Sequence, residues 1–261
     1  MSHASLTTYL EVATRAAQRA GRLLATRMGR PRTIQTKRSD SDLVTEVDRA
    51  SERMLRDAIR QRFPDHGFQG EEHARTNPQA PFQWIVDPLD GTTNFVHGVP
   101  VFAISMALAH HDELLVGVIH DPTQRETFTA IKGSGAWLNG RRIRVSTTPR
   151  LAQSLLSTGF SARFRTHPAT YLRWFVAFQS RCHAVRRMGC TTLSLAYVAC
   201  GRQDGFYERD LWPWDIAAGV LLVQEARGRV TDFQGHPVRL KDGKVVASNG
   251  RIHDEMLRFL T

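Results

Sequence analysis

Two aspartates, Asp87 and Asp90, close an apolar run at residues 82–86 that has the composition of a buried strand. Between them stand Pro88 and Leu89. Pro88 has no amide hydrogen, so it interrupts the pairing of a strand and turns the chain. We expect this turn to bring both carboxylates to one side and to leave the carbonyl of Leu89 unpaired.

The paired carboxylates predict a bound cation. Neighbouring carboxylates repel each other unless they are protonated or neutralised, and a divalent cation neutralises both. Every atom on offer is an oxygen, which suits Mg²⁺ and argues against Zn²⁺. Gly91 allows unusual dihedral angles, and the amides of Gly91, Thr92 and Thr93 would form a helix start or nest that suits a phosphate oxygen.

An ordinary Asx turn in which Asp90 caps a helix explains the same spacing, because aspartates so spaced are common in turns. Two further acidic features favour the metal interpretation. Glu71 and Glu72 precede the strand of Asp87, and Asp215 begins an apolar helix behind two tryptophans. Capping would explain Asp215, and exposure to solvent would explain Glu72, but neither explains the whole set.

Apolar residues at helical spacing predict the elements that position these groups, with long helices at residues 4–28 and 45–63. Further predicted helices are residues 167–180, 191–200, 215–226 and 253–260. Predicted strands are residues 82–86, 101–109, 114–120, 127–131, 153–160, 184–188, 205–208, 230–233 and 245–247, with a hairpin turn at Asn139-Gly140. Helices and strands mix without strict alternation, which favours an α+β or α/β arrangement of layered sheets.

The chain of 261 residues, 41% of them hydrophobic, can bury one substantial core or two that share an interface. The sequence contains no repeat, low-complexity segment or long linker. Its weakest joint lies near residues 147–150. We therefore interpret residues 1–261 as one unit, with an N-terminal α+β half at about 1–148 and a C-terminal α/β half at about 149–261.

No N-terminal stretch has the pattern of a signal peptide, and the longest apolar stretches are too short to cross a bilayer. We expect a cytoplasmic protein with no membrane partner. Cys182, Cys190 and Cys200 form no closely spaced pair. Their spacing favours free thiols in a reducing compartment over a zinc site or a disulfide framework.

The net charge is +10 and the isoelectric point about 10.3. Such a charge favours an anionic partner, either a phosphorylated metabolite or nucleic acid. Solvated positive faces explain it slightly better, because no aromatic ladder of a single-strand binder is interleaved with the basic residues. Arginine dominates the excess, in the clusters Arg141-Arg142-Ile143-Arg144, Arg163-Phe164-Arg165 and Arg186-Arg187.

The chain resembles the inositol monophosphatase family of Mg²⁺-dependent, lithium-sensitive phosphatases. The resemblance lies in residues 37–48, 70–72, 84–100, 135–140, 212–235 and 247–253. Its specific blocks are Asp-Pro-Leu-Asp-Gly-Thr-Thr at 87–93 and Trp-Asp-Ile-Ala-Ala-Gly at 214–219. The resemblance implies a layered αβαβα sandwich of the inositol monophosphatase and fructose-1,6-bisphosphatase type, usually a homodimer.

The resemblance also implies a set of metal ligands for two to three Mg²⁺ ions. Glu71, Asp87 and the Leu89 carbonyl would hold one ion. Asp87, Asp90 and Asp215 would hold a second, and a third, weaker ion would lie near Glu71.

Catalytic and substrate-binding roles follow from the same resemblance. Thr92 would help Glu71 to orient and activate a water, with Asp48 and Thr45 behind them. For Arg186, a place at a subunit interface fits as well as a place beside the substrate. The implied substrate-binding residues are Asp90, Gly91, Thr92, Arg186, Glu208 and Asp215.

One segment departs from the family pattern. Gly189-Cys190-Thr191-Thr192 stands where members often carry Gly-Thr-Ala-Ala or Gly-Ser-Ala-Ala, which leaves the identity of the alcohol open. The first hypothesis is hydrolysis of inositol monophosphate or a related sugar-alcohol phosphate. The alternatives are the same site acting on histidinol phosphate, fructose 1,6-bisphosphate or a 3′-phosphonucleotide. An accessory protein that binds nucleic acid or RNA polymerase ranks below them.

Overall fold

The structure, a computed structural model, describes residues 3–37 and 43–260. Its α-helices are α1 (His3–Arg27), α2 (Glu46–Arg62), α3 (Thr92–Val96), α4 (Pro168–Gln179), α5 (Thr191–Ala199), α6 (Pro213–Glu225) and α7 (His253–Leu257). Its strands are β1 (Ile34–Thr36), β2 (Leu43–Thr45), β3 (Gly67–Gly70), β4 (Phe82–Asp90), β5 (Ala103–His110), β6 (Glu113–Asp121), β7 (Glu126–Ile131), β8 (Gly135–Leu138), β9 (Arg141–Ile143), β10 (Leu155–Thr158), β11 (Ala184–Arg186), β12 (Gly205–Arg209), β13 (Arg229–Thr231) and β14 (Lys244–Ser248). Short 3-10 turns lie at Leu151–Gln153, Ala162–Arg165 and Leu240–Asp242.

Two main sheets organise the described residues. The larger sheet has the strand order β3-β4-β5-β6-β7-β8-β9 and is antiparallel apart from the parallel pair β3 and β4. The smaller sheet has the order β11-β10-β12-β14-β13, with β10 parallel to both β11 and β12. A separate antiparallel pair joins β1 to β2.

Helices and sheets alternate in layers. Helices α1 and α2 cover one face of the larger sheet, α5 and α6 lie between the two sheets, and α4 and α7 cover the outer face of the smaller sheet. This order of layers confirms the predicted αβαβα sandwich. Because the larger sheet is covered on both faces, its central strands β5 and β6 are buried along almost their whole length.

The period-2 alternation of strand side chains explains how each sheet serves two layers. In β4, Trp84 and Val86 pack toward α1 and α2, whereas Ile85 between them packs toward α5 and α6. In β12, Phe206 faces the central helices. The next residue, Tyr207, faces outward, and its ring lies 4.4 Å from the ring of Phe178 in α4.

The two long predicted helices are confirmed as α1 and α2. Helix α2 begins at a capping box: the Thr45 hydroxyl accepts from the amides of Val47 and Asp48, and the Asp48 carboxylate accepts from the Thr45 amide. The predicted hairpin turn is also confirmed. Asn139 (φ 48°) and Gly140 (φ 76°) both have the left-handed backbone that a two-residue turn between β8 and β9 requires.

Some element boundaries were predicted wrongly. The strand expected at residues 153–160 covers only Leu155–Thr158, because Ser154 closes a 3-10 turn by donating its hydroxyl to the Leu151 carbonyl. The last helix ends at Leu257 instead of residue 260. Strands β1 to β3 were not predicted, since β1 is exposed along its length and β3 both begins and ends with glycine. In the described part of the chain, no helix is both long and apolar enough to span a membrane.

Candidate active site

A bulge at the end of β4 separates Asp87 from Asp90. The pairing register with β5 shifts between the two aspartates, at Pro88 and Leu89. Proline cannot donate to the ladder, so the register breaks where the sequence predicts. The Asp87 carboxylate accepts from the Leu89 amide at 2.9 Å, which folds the bulge back onto its first residue.

Gly91 follows the bulge and permits the close approach of a neighbouring segment. Its φ of +92° lies in the left-handed region, and a Cβ there would lie 2.9 Å from the Val101 carbonyl oxygen. Helix α3 begins immediately after it, as the sequence predicts. The Leu89 carbonyl was predicted to be unpaired, but it accepts from the Thr92 hydroxyl at 3.1 Å. The same hydroxyl lies 3.2 Å from an oxygen of Asp48, so it joins the bulge to α2.

Asp90 connects the bulge to the beginning of α5. Its carboxylate accepts from the Thr192 amide at 2.6 Å and from the Cys190 thiol at 3.2 Å. The cysteine therefore serves here as a buried hydrogen-bond donor, and all three cysteines are free thiols.

Glu71 lies directly after β3, beside Lys37. The Lys37 ammonium contacts the Glu71 carboxylate at 2.8 Å and also bonds to Glu72. Both carboxylates raise the pKa of Lys37 against the opposing effect of its burial. Residues 38–42, within the block that first suggested the family, lie outside the described residues.

Asp215 lies in the first turn of α6, where its carboxylate accepts from the Trp212 amide at 2.7 Å. The rings of Trp212 and Trp214 stack at 5.3 Å between centroids. Asp215 therefore makes the capping bond that its position predicts. It also lines a cavity shared with Glu71 and Asp90, which capping alone does not require.

Glu208 is buried at the end of β12, in space left by Gly159. A Cβ at Gly159 would overlap the Glu208 carboxylate. The Thr191 hydroxyl donates to this carboxylate at 3.1 Å. Burial raises the pKa of Glu208 to about 8, with Thr191 opposing and Asp90 adding to the rise.

These acidic side chains converge on one cavity of about 910 Å³. Asp87 is 2% exposed and interacts electrostatically with Glu71, Asp90 and Asp215. Thr93 and Asn94 line the cavity at helix α3. We call the cavity-lining group of Glu71, Asp90, Glu208 and Asp215 the acidic wall.

Burial and mutual repulsion govern the charges of these groups. Burial, followed by the charges of the neighbouring carboxylates, raises the pKa of Asp87 and of Asp215 well above the usual range. Burial raises the pKa of Glu71 to about 7, although Lys37 opposes the rise. Burial also raises the pKa of Asp90, against the Thr192 amide. So many acidic groups in one place are stable as anions only beside a strong positive charge.

The donor set fits a hard divalent cation, because it consists of oxygens: buried carboxylates that raise one another's pKa, together with the backbone carbonyl of Leu89. In the residues that the structure describes, no three His, Cys, Asp or Glu side chains form a ready-made metal site. In this arrangement Glu71 is paired with Lys37, Asp90 with the Thr192 amide and Asp215 with the Trp212 amide. Metal binding would therefore exchange some of these partners.

Comparison with known proteins places this site in a family. The model of the inositol monophosphatase family matches residues 5–260. The chain belongs to the inositol monophosphatase family. Membership of this family supports a phosphatase activity.

Individual members of the inositol monophosphatase family are similar over almost their whole length. The chain is 42% identical to the inositol-1-monophosphatase of Synechocystis sp., over 99% of this chain and 91% of that protein. It is 44% identical to the Nus factor SuhB of Pseudomonas aeruginosa, over 95% of this chain and 94% of that protein. The solved inositol monophosphatase from Anabaena (Nostoc) sp. matches with a TM-score of 0.90 and 40% identity, over 98% of this chain and 96% of that chain.

The structure places Arg186, one of the substrate residues implied by the inositol monophosphatase family, at the exposed end of β11, and Arg187 lines the cavity instead. The Arg187 guanidinium lies 5.5 Å from the ring centre of Phe160, another residue of the cavity lining. Arg187 is therefore the better candidate for contact with a substrate.

One face of α2 holds the acidic wall from behind; the family resemblance implied this for Asp48, but Ser51 and Glu52 were not predicted. Asp48 binds Thr92, as described, and Ser51 donates to the Pro88 carbonyl at 2.8 Å. Glu52 is fully buried and accepts from the Glu72 amide at 2.7 Å. These side chains stand at i, i+3 and i+4, the spacing of one helical face, and that spacing was the available signal.

Proposed function

We propose that this protein is a Mg²⁺-dependent phosphomonoesterase that hydrolyses inositol monophosphate or a related sugar-alcohol phosphate. The observation that carries the proposal is the convergence of buried carboxylates from four distant segments on one cavity. These carboxylates need cations to neutralise their charge. Cations held by oxygen ligands are well suited to the hydrolysis of a phosphate ester, because they neutralise the phosphate and activate water. Family membership supports the same reaction.

In this proposal two to three Mg²⁺ ions are held by Glu71, Asp87, the Leu89 carbonyl, Asp90 and Asp215. When bound, Mg²⁺ supplies neutralisation of the phosphate charge and a lowered pKa for water. The protein holds the reacting groups in position, and no covalent enzyme intermediate is expected because water is the nucleophile.

The hydroxyl of Thr92 has the bonding pattern needed to orient that water. A hydroxyl has one hydrogen, for which the Leu89 carbonyl at 3.1 Å and an Asp48 oxygen at 3.2 Å are both acceptors, and with either acceptor the Thr92 oxygen can still accept from a water. Asp48 is fixed for this purpose, because its other oxygen accepts from both the amide and the hydroxyl of Thr45. We therefore propose that Glu71 and Thr92 orient the water, with Asp48 and Thr45 holding Thr92.

The residues proposed for the alcohol side of the substrate are Glu208 and Arg187, together with the backbone amides of Gly91 and Thr92 for the phosphate. Thr191 and Thr192, which replace the smaller residues of many family members, stand beside Glu208 and Asp90. Histidinol phosphate, fructose 1,6-bisphosphate and 3′-phosphonucleotides remain alternatives, because the metal ligands contact only the phosphate.

A panel of phosphomonoesters tests the proposal. Values of kcat/KM are measured for inositol 1-phosphate, histidinol phosphate, fructose 1,6-bisphosphate and 3′-phosphoadenosine 5′-phosphate, with Mg²⁺ and with a chelator. We expect hydrolysis of a sugar-alcohol phosphate that requires Mg²⁺. Absence of phosphate release from every ester, or release that survives chelation, would contradict the proposal.

A role in transcription is a second candidate, supported by relatives that carry the name Nus factor SuhB and by the net charge of +10. Binding to RNA or RNA polymerase would weaken steeply with salt, because phosphate contacts release counterions. Absent or salt-insensitive binding would contradict it. The predicted homodimer likewise remains a proposal, which the mass in solution tests.

A further inference from the structure

Two of the three basic clusters of the sequence meet at the cavity. Arg163 and Arg165, on the 3-10 turn Ala162–Arg165, and Arg187, just after β11, line the same cavity as the acidic wall. We call these three residues, with Phe160 and Phe164, the arginine wall. The third cluster lies elsewhere, on β9, where the Arg142 guanidinium is 6.0 Å from the ring of Trp137.

Aromatic rings, and not acidic partners, hold Arg187 in place. The rings of Phe160 and Phe164 are parallel to within 4° and 4.7 Å apart. Arg187 lies over Phe160 at 5.5 Å. Stacking restrains a guanidinium while its N–H groups stay available to a ligand.

The charges of the arginine wall are only partly balanced by the protein. Arg163 lies 3.3 Å from Asp210, which also bonds to the Tyr171 hydroxyl and to Arg209. Within residues 3–37 and 43–260, neither Arg165 nor Arg187 has a carboxylate at ion-pair distance. An anion in the cavity would supply the missing partner.

The arginine wall adjoins the part of the acidic wall that we assign to the alcohol of the substrate. Arg187 is close enough to Glu208 to affect its ionisation. In the proposed function the reacting phosphate is bound with cations at the acidic wall. A further anionic group on the substrate would therefore be the partner for the arginines.

We propose that the arginine wall is a subsite for a second phosphate group, and that the preferred substrate is a small bisphosphorylated sugar or sugar alcohol. This inference rests on the proposed function, because the acidic wall must hydrolyse the other phosphate. The cavity of about 910 Å³ lies within the usual range of ligand pockets and has room for a sugar that carries two phosphates.

Matched pairs of substrates test the subsite. Values of kcat/KM with Mg²⁺ are compared for inositol 1-phosphate against inositol 1,4-bisphosphate, and for fructose 1-phosphate against fructose 1,6-bisphosphate. We expect the bisphosphate to be preferred by roughly tenfold in at least one pair, since hydrogen bonds to charged groups contribute this much. In the double variant Arg165→Gln/Arg187→Gln that ratio should fall to about one.

A charge-matched control separates the subsite from general attraction. Arg141→Gln/Arg144→Gln removes the same two charges from the cluster at β9 and should keep the wild-type ratio. All four side chains are exposed, so both variants should keep the wild-type melting temperature. An equal loss of preference in the control would overturn the subsite in favour of long-range electrostatics.

The outcomes distinguish this inference from the proposed function. If the wild type hydrolyses monophosphates with Mg²⁺ but shows no preference in either pair, the subsite is overturned and the proposed function stands. If no ester is hydrolysed, the proposed function fails, and the subsite is judged by the rise in melting temperature that inositol 1,4-bisphosphate gives beyond inositol 1-phosphate. That excess should vanish in Arg165→Gln/Arg187→Gln. If Arg165→Gln/Arg187→Gln loses binding to a short oligouridine but keeps the wild-type preference for the bisphosphate, the arginine wall binds nucleic acid and the subsite is overturned.

Discussion

The two walls of the cavity are held by different means. The acidic wall is fixed from behind by buried side chains of α2 and by backbone amides at the beginnings of α5 and α6. The arginine wall projects from a short 3-10 turn and from the end of an edge strand, and its arginines are exposed. One wall is therefore buried and hydrogen-bonded to the core, whereas the other is exposed and is held mainly by contacts with aromatic rings.

This difference matches the two tasks of a hydrolase. Groups that stabilise a developing charge work best when their positions are fixed before the substrate arrives. Groups that choose among substrates can sit on surface loops, which tolerate change more easily than a buried core. We infer that chemistry resides in the acidic wall and substrate choice in the arginine wall.

Asp90→Asn should have the largest effect on the acidic wall. It removes one proposed metal ligand, so kcat should fall by about 10²–10³-fold. The free energy of unfolding without metal should stay equal or rise, because the variant relieves repulsion among buried carboxylates. Turnover and chemical denaturation measure both. The exposed Asp57→Asn of α2 is the control, and near-normal turnover in Asp90→Asn would refute the metal assignment.

Glu52→Ala should have the next largest effect, because α2 holds the acidic wall from behind. The Glu72 amide and His73 would lose their acceptor, so unfolding should become easier by about 1–3 kcal/mol. Displacement of Glu71 should lower kcat by about 10–100-fold and raise the Mg²⁺ concentration for half-activation.

Glu46→Ala is the matched control for Glu52→Ala. Glu46 lies on the same helix and also accepts from two backbone amides, those of Arg32 and Thr33. It should lower stability without changing the Mg²⁺ requirement. An unchanged Mg²⁺ requirement in Glu52→Ala would mean that α2 supports the fold only.

The pH dependence of the unfolding free energy should reveal the repulsion among the buried carboxylates of the acidic wall. Glu71 and Glu208 have folded-state pKa values of about 7 and about 8, above their ordinary value of 4.5. Between 4.5 and 8 the folded protein thus binds more protons than the unfolded chain. Without metal, the unfolding free energy should therefore fall as pH rises from about 5 to about 8.5, by more than about 1.4 kcal/mol.

Chemical denaturation in a chelator across this pH range measures the trend. Mg²⁺ should restore stability most at the alkaline end, where the carboxylates are charged. Glu208→Gln should flatten the slope. Stability that rises with pH over the same range would contradict the crowding of charges.

Much of the acidic wall could be predicted from the sequence, because the residues that shape it are close together in the sequence. Pro88 and Gly91 set the bulge and the helix start, and both appear in the structure as expected. The layered fold could be predicted for a similar reason, since long apolar helices and strands carry clear periodicity. Short exposed strands such as β1 carry no such pattern, and they were missed.

The contacts that bind distant segments together could not be predicted. Lys37 beside Glu71, and Glu52 beneath residues 72 and 73, depend on how separate elements pack. The choice of Arg187 over Arg186 depends on the path of the chain where it leaves a short edge strand, which the sequence pattern does not specify. Sequence patterns therefore identified the residues proposed for metal binding more completely than the residues proposed for substrate recognition.

Thr191→Ala should have the smallest effect, and it tests where the two walls join. Thr191 donates to Glu208, and Glu208 lies near Arg187. Removing the hydroxyl should lower kcat/KM for inositol 1-phosphate by about two- to fivefold, which corresponds to the loss of one modest hydrogen bond. Phenyl phosphate, which has no alcohol hydroxyls, should be unaffected, and Thr191→Ser should restore the wild-type value. An equal loss for both substrates would show instead that Thr191 stabilises the start of α5, and that substrate recognition begins only at the arginine wall.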